Sequence, residues 1–136
     1  MVNRPSMSAR PVLLLLATML GLAVIAGCGS GIPRTYPVKG KVVFKGGQPV
    51  QYGRIEFQSE ADATLRATGE IGKDGTFVLT THKEGKSALG AVAGKHKVVV
   101  EQEGWDKPLI VTVLPGAQVV EPRENDLTIE IPKSRK

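Results

Sequence analysis

The apolar run from Val12 to Ala26 ends in Gly27-Cys28, and that ending limits how much of the chain is left to fold. Arg4 and Arg10 precede the run, no acidic residue interrupts it, and small residues lead up to the cysteine. This is the charged, apolar, small-residue order of a secretory signal. A membrane-spanning anchor needs about 20 apolar residues, and this run is shorter. A signal peptidase takes small side chains beside its cut, and a thiol directly after the cut is a nucleophile that accepts a lipid chain. Ile25-Ala26-Gly27-Cys28 therefore reads as a bacterial lipobox, cleaved between Gly27 and Cys28 and lipidated on Cys28. Simple secretion after a cut near Ala26 would instead leave Cys28 as a stray thiol, which lipidation explains.

Taking residues 1–27 from a chain of 136 leaves 109, enough for one small domain. The expected layout is a signal over 1–27, a tether from lipidated Cys28 over 28–35, a domain over 36–132 and a basic tail over 133–136. Loss of Arg4 and Arg10 lowers the formal net charge from +5 to +3, and Lys133, Arg135 and Lys136 account for that remainder. The body is close to neutral and has no arginine stripe with interleaved aromatics, so no nucleic-acid partner is expected. A single cysteine excludes an internal disulfide, so the core has to come from aliphatic burial.

Gly29 to Thr35 shows no hydrophobic period and reads as flexible chain. Val38 to Phe44 alternates as a half-buried strand, and Gly46-Gly47-Gln48-Pro49 turns it. In Tyr52 to Ser59 the residues Gly53, Ile55 and Phe57 share one face, opposite Tyr52, Arg54, Glu56 and Gln58. Arg66 to Ile71 and Thr76 to Thr81 flank Gly72-Lys73-Asp74-Gly75, the strongest hairpin signal, with Phe77, Leu79 and Thr81 on one face. His82 to Gly94 is broken by Gly85, Gly90 and Gly94 and reads as a long loop. Lys95 to Glu103 carries Val98, Val99 and Val100, typical of a central strand buried on both faces. After a turn at Gly104-Trp105-Asp106-Lys107-Pro108 comes Leu109 to Leu114, then a polar loop from Gln118 to Asp126. Leu127 to Ile131 closes the set with Leu127, Ile129 and Ile131 inward. Seven short extended runs with no helical period predict an all-β fold, a small seven-stranded antiparallel β-sandwich.

Tyr36-Pro37-Val38-Lys39-Gly40-Lys41-Val42, Gly46-Gly47-Gln48-Pro49-Val50, Gly72-Lys73-Asp74-Gly75-Thr76-Phe77 and Leu109-Ile110-Val111-Thr112-Val113 follow one another in this order. Together they resemble the carboxypeptidase regulatory-like family of transthyretin-like β-sandwiches, in particular its short bacterial lipoprotein members. Ala93 and His96 stand where that family usually has proline and tyrosine. The resemblance implies a folding, docking or interaction accessory and no enzymatic activity. A transthyretin-like hydrolase, hydroxyisourate hydrolase, is a remote alternative, but its Tyr-Arg-Gly-Ser C-terminal signature is missing from Ile131-Pro132-Lys133-Ser134-Arg135-Lys136.

His82 and His96 are the only histidines and no Cys-x-x-Cys or His-x-x-x-His spacing occurs, so neither a metal site nor another cofactor is expected. Asp74 is read as turn chemistry, since a calcium loop needs several alternating oxygen ligands. No nucleophile, base and orienter stand together in the sequence, so no catalytic residue is assigned. Trp105 is the candidate ligand contact: a loop-tip aromatic stacks on a sugar ring or anchors a partner, whereas a lone tryptophan more commonly caps an open core. The expectation is an exported, lipid-anchored envelope accessory, facing the periplasm or the cell surface. Its partners would be the membrane, through Cys28, and an unidentified envelope protein or glycan. The alternative is a carbohydrate-binding surface module using Trp105. Gly29 is not the aspartate that retains some lipoproteins at the inner membrane, which favours the outer one.

Overall fold

The computed structural model describes residues 31–104 and 107–133, and these contain strands and no helix. Residues 1–30, which include the expected signal and Cys28, and residues 105–106 and 134–136 lie outside them, and with them Trp105. The strands are β1 (Thr35–Tyr36), β2 (Val38–Phe44), β3 (Gly53–Ser59), β4 (Arg66–Ile71), β5 (Thr76–Val78) and β6 (Thr80–Lys83). After them come β7 (Lys86–Leu89), β8 (Ala91–Val92), β9 (Gly94–Gly104), β10 (Lys107–Val113), β11 (Gln118–Val120) and β12 (Asn125–Ile131).

One sheet runs β10-β9-β3-β4-β6-β7, with β11 also on β9; a second runs β12-β2-β5; β1 and β8 pair separately. The two main sheets enclose the core, so the all-β sandwich stands. All seven predicted runs contain strands: most alternate with the period of two that one buried face requires, and β4 buries Ala67, Gly69 and Ile71 on one face although it has few β-branched residues. Val38 and Val42 of β2 and Ile129 and Ile131 of β12 meet Ile55 and Phe57 of β3 and Val98 and Val100 of β9. Phe57 and Phe77 bridge the sheets with ring centroids 6.5 Å apart at 41°. Each such fully buried side chain contributes about 1.5–3 kcal/mol, which is how this body coheres without a disulfide.

The structure departs from expectation in five places. β2 and β12 run parallel, with Val38 opposite Asn125 and Phe44 opposite Ile131, so the sandwich is not purely antiparallel. The Asp74-Gly75 turn closes as predicted, Gly72 N–H donating to Thr76 O at 2.9 Å, but the returning strand divides. Thr76 to Val78 pair with β2, and from Thr80 the chain pairs with β4. The switch falls at Leu79, which is fully buried and donates its N–H to Val38 O at 2.9 Å. Segment 82–94 is not a loop: β6 continues through His82, and β7 and β8 follow, with Thr81 Oγ1 donating to Gly90 O at 2.7 Å inside the bend. Segment 118–126 likewise contains β11, paired along the start of β9. Finally, β9 is central as expected, but Val99 points outward and is half-buried.

Candidate functional site

Where the second sheet's β2 ends, the chain makes a tight turn. Gly46 and Gly47 adopt φ of 108° and 88°, which side chains other than glycine's resist. Gly47 N–H donates to Phe44 O at 2.9 Å, Phe44 N–H to Gln48 O at 2.8 Å, and Lys45 N–H to Ile131 O at 2.9 Å. The turn thereby satisfies its own backbone and folds Gln48 and Pro49 back beside Phe44. Val50 then enters the core, 1% exposed, and Gln51 emerges beyond it.

Across from this turn, β9 brings its core-facing row, Val98, Val100 and Gln102, to the open end of the sandwich. Phe44, Gln48, Pro49, Gln51 and Gln102 line a cleft of about 550 Å³. Gln102 is itself half-buried; its amide nitrogen is out of reach of solvent, and among the described residues it has no hydrogen-bond partner. None of the five lining residues is charged. The cleft can offer hydrogen bonds and apolar faces, but none of its described lining residues can accept or deliver a proton at neutral pH.

The histidines do not meet. His82 is exposed on β6, opposite Arg66 and Ser87. His96, 1% exposed, faces the core from β9, Nδ1 donating to Gly94 O at 3.1 Å and the ring 5.9 Å from that of Phe57. The two lie on opposite faces of the sheet with β3 and β4 between their strands, roughly 14 Å apart at about 4.8 Å per strand spacing. Burial holds the His96 pKa below its ordinary value, and the Gly94 carbonyl and the Glu60 charge oppose that shift only in part. Among the described residues no three His, Cys, Asp or Glu side chains converge as metal ligands.

Asp74 does turn work: Oδ1 accepts from Thr76 Oγ1 at 2.6 Å and Thr76 N–H at 3.2 Å, and these bonds hold its carboxyl below the usual range. Cys28, Gly27 and Trp105 fall outside the described residues, although β9 and β10 pair through Gly104 and Lys107 on either side of residues 105–106. Sequence reasoning missed Gln102 and the amides facing it. The only local hint was the Gly46-Gly47-Gln48-Pro49 turn.

No family model matches the chain, and no curated protein matches it. A solved structure to which it is similar is the dioxygenase domain of a dioxygenase carbohydrate-binding protein fusion from the cellulolytic bacterium Streptomyces sp. SirexAA-E. The identity is 16% over 82% of this chain and 86% of that one, with a TM-score of 0.41. Fold and site define an all-β sandwich with a neutral, amide-lined cleft at one end.

Proposed function

We propose that this chain is a non-enzymatic binding accessory of the bacterial cell envelope, anchored through lipid on Cys28 and kin to the carboxypeptidase regulatory-like lipoproteins. The cleft carries the reading: it presents amides and apolar faces from strand ends and a hydrogen-bonded turn, without a charged or proton-transferring side chain among its described lining residues. The separation of His82 from His96 supports the same view, because a catalytic site built on these histidines would need them to converge in one pocket. The lipobox at Ile25-Ala26-Gly27-Cys28 supports anchoring, with the domain facing the periplasm or the cell surface and the outer membrane favoured by Gly29. Two or more acyl chains give durable attachment, each buried methylene contributing about 0.8 kcal/mol.

Fractionation of cells producing the parent and the Cys28→Ala variant tests the anchor. The parent should pellet with membranes through a salt wash and the variant should be released into the soluble envelope fraction. A variant that stays in the salt-washed membrane pellet as the parent does would refute lipid anchoring.

A further inference from the structure

We propose that the short tether from lipidated Cys28 holds one end of the sandwich, where β9 begins and β3 ends, against the lipid headgroups of the anchoring membrane. The cleft at Phe44 and Gln48 is thereby turned away from the membrane. This rests on reading Cys28 as the lipid anchor and adds the surface that meets the lipid.

Strand pairing fixes which features share that end. Val38 of β2 lies opposite Asn125 of β12, so these two strands start together. Asn125 N–H donates to Pro37 O at 2.9 Å, and its Oδ1 accepts from the N–H of Glu121, the residue after β11. β11 itself ends opposite Gly94, the first residue of β9, while Ser59, the last of β3, lies opposite His96. The β6–β7 turn at Glu84-Gly85 closes just past His82, which lies opposite Arg66 at the start of β4. The tether enters at this end: Thr35 and Tyr36 precede β2, pair with Val92 and Ala91 just before β9, and Thr35 Oγ1 donates to Leu89 O at 2.8 Å. The opposite end holds the turns at Gly46-Gly47 and Lys73-Asp74, and the cleft.

Chain length decides which end can reach lipid. From Cys28 to Thr35 is seven residue steps, at most about 25 Å when fully extended and about 15 Å on average for a freely moving chain. Ile32 is already half-buried, which shortens the reach further. From Thr35 through β1 and β2 to Phe44 the chain runs nine steps the other way, about 30 Å at about 3.3 Å per residue, and the Gly46-Gly47 turn stands beyond. The far end therefore lies outside the reach of the anchor. Charge does not set this arrangement: at the near end Lys86 and Lys95 stand exposed beside exposed Glu60 and Glu84, so attraction to anionic headgroups is largely offset. The same end should face zwitterionic lipid as well.

The test uses the lipidated chain purified from membranes and reconstituted into phosphatidylcholine vesicles. Because lipid consumes the thiol of the single cysteine, Lys86→Cys and Lys73→Cys each introduce one reactive thiol, at an exposed position on the near and the far end, for a small fluorescent label. Phosphatidylcholine carrying a nitroxide on its headgroup should then quench most of the fluorescence at position 86 and little at position 73. A Gly-Ser spacer of about 20 residues inserted after Ser30 raises the average reach to about 29 Å and should bring position 73 into quenching as well. Labelled chain that fails to float with the vesicles would refute the lipid anchor, and this orientation with it. Chain that floats but is quenched alike at both positions without the spacer would overturn the orientation and leave the anchor standing. A contrast that the spacer does not reduce would overturn the tether as its cause.

Discussion

The ring of His96 lies 5.9 Å from that of Phe57, tilted by 48°, and its Nδ1 donates to Gly94 O at 3.1 Å. The carbonyl can only accept, so the neutral tautomer with the proton on Nδ1 fits this place. Burial holds the folded pKa below the ordinary 6.5, while an unfolded chain titrates near that value. As pH falls through 6.5 the unfolded state binds more protons than the folded one, so stability declines until the folded form also protonates. Thermal unfolding at a series of pH values between about 7.5 and 5 should therefore show a falling Tm. His96→Phe should flatten that slope, and an unchanged slope would assign the effect to another group. Asp62, Asp74 and Glu124 do not interfere: their carboxyls are held low by hydrogen bonds or Lys39, and their contributions disappear only below the ordinary carboxylate range.

Asn125 predicts a different kind of loss. It is 6% exposed, and its Oδ1 accepts from Glu121 N–H at 2.9 Å while Nδ2 donates to Arg123 O at 2.6 Å and Glu121 O at 3.1 Å. Its own N–H donates to Pro37 O at 2.9 Å, tying the 121–125 segment to the start of β2. Asn125→Ala strands those partners and should cost about 1–3 kcal/mol in urea denaturation. Asn125→Asp retains the acceptor but sets a carboxylate oxygen against the two carbonyls, so its loss should shrink as the pH is lowered enough to protonate it. Equal stability of both variants and the parent would mean that water replaces the amide.

The strands were legible wherever the hydrophobic period had room to repeat. Gly53, Ile55 and Phe57 show it over seven residues of β3, and the structure buries all three. β7 and β8 have four and two residues, too few for a period, and they exist because Leu79 and Thr81 bond Gly90 and because β1 pairs with β8. Pairing partners were hidden for a related reason. Alternation in β2 shows which side is buried but not that β12 lies alongside it in parallel, nor that β2 draws Thr76 to Val78 away from β4. Gln102 continues the buried row of Val98 and Val100 as one more polar residue in the sequence, and only the β2–β3 turn across from it makes it part of a cleft.

Gly40 gives the sharpest steric prediction. It sits in β2 opposite Leu127 on one side and Phe77 on the other, and a Cβ there would strike the Leu127 carbonyl oxygen and lie 2.9 Å from Phe77 Cζ. The first of these is backbone and cannot swing aside. Gly40→Ala should therefore destabilise by about 1–3 kcal/mol through overpacking, read from urea unfolding. The neighbouring exposed Lys41→Ala serves as the control and should stay within about 0.5 kcal/mol. If the two variants unfold alike, β12 is free to move off β2.

The outer edge of the larger sheet carries the last prediction. Leu109, Val111 and Val113 are 56%, 53% and 50% exposed on β10, whose one partner among the described residues is β9. From Leu109 to Val113 the strand has no charge and, past Pro108, no proline, so its free N–H and C=O groups can template another strand. Two copies of β10 aligned antiparallel about Val111 would place Leu109 against Val113 in both directions. Such a short edge favours chain-to-chain addition on heating over a tight dimer. Val111→Lys puts a charge at the centre of that alignment while leaving the buried face of β10 untouched, so it should keep the unfolding midpoint within about 0.5 kcal/mol of the parent. In the Cys28→Ala chain, where lipid cannot drive association, the substitution should delay the onset of light scattering on slow heating. Scattering that starts at the same temperature in both would move the aggregating segment elsewhere in the molecule.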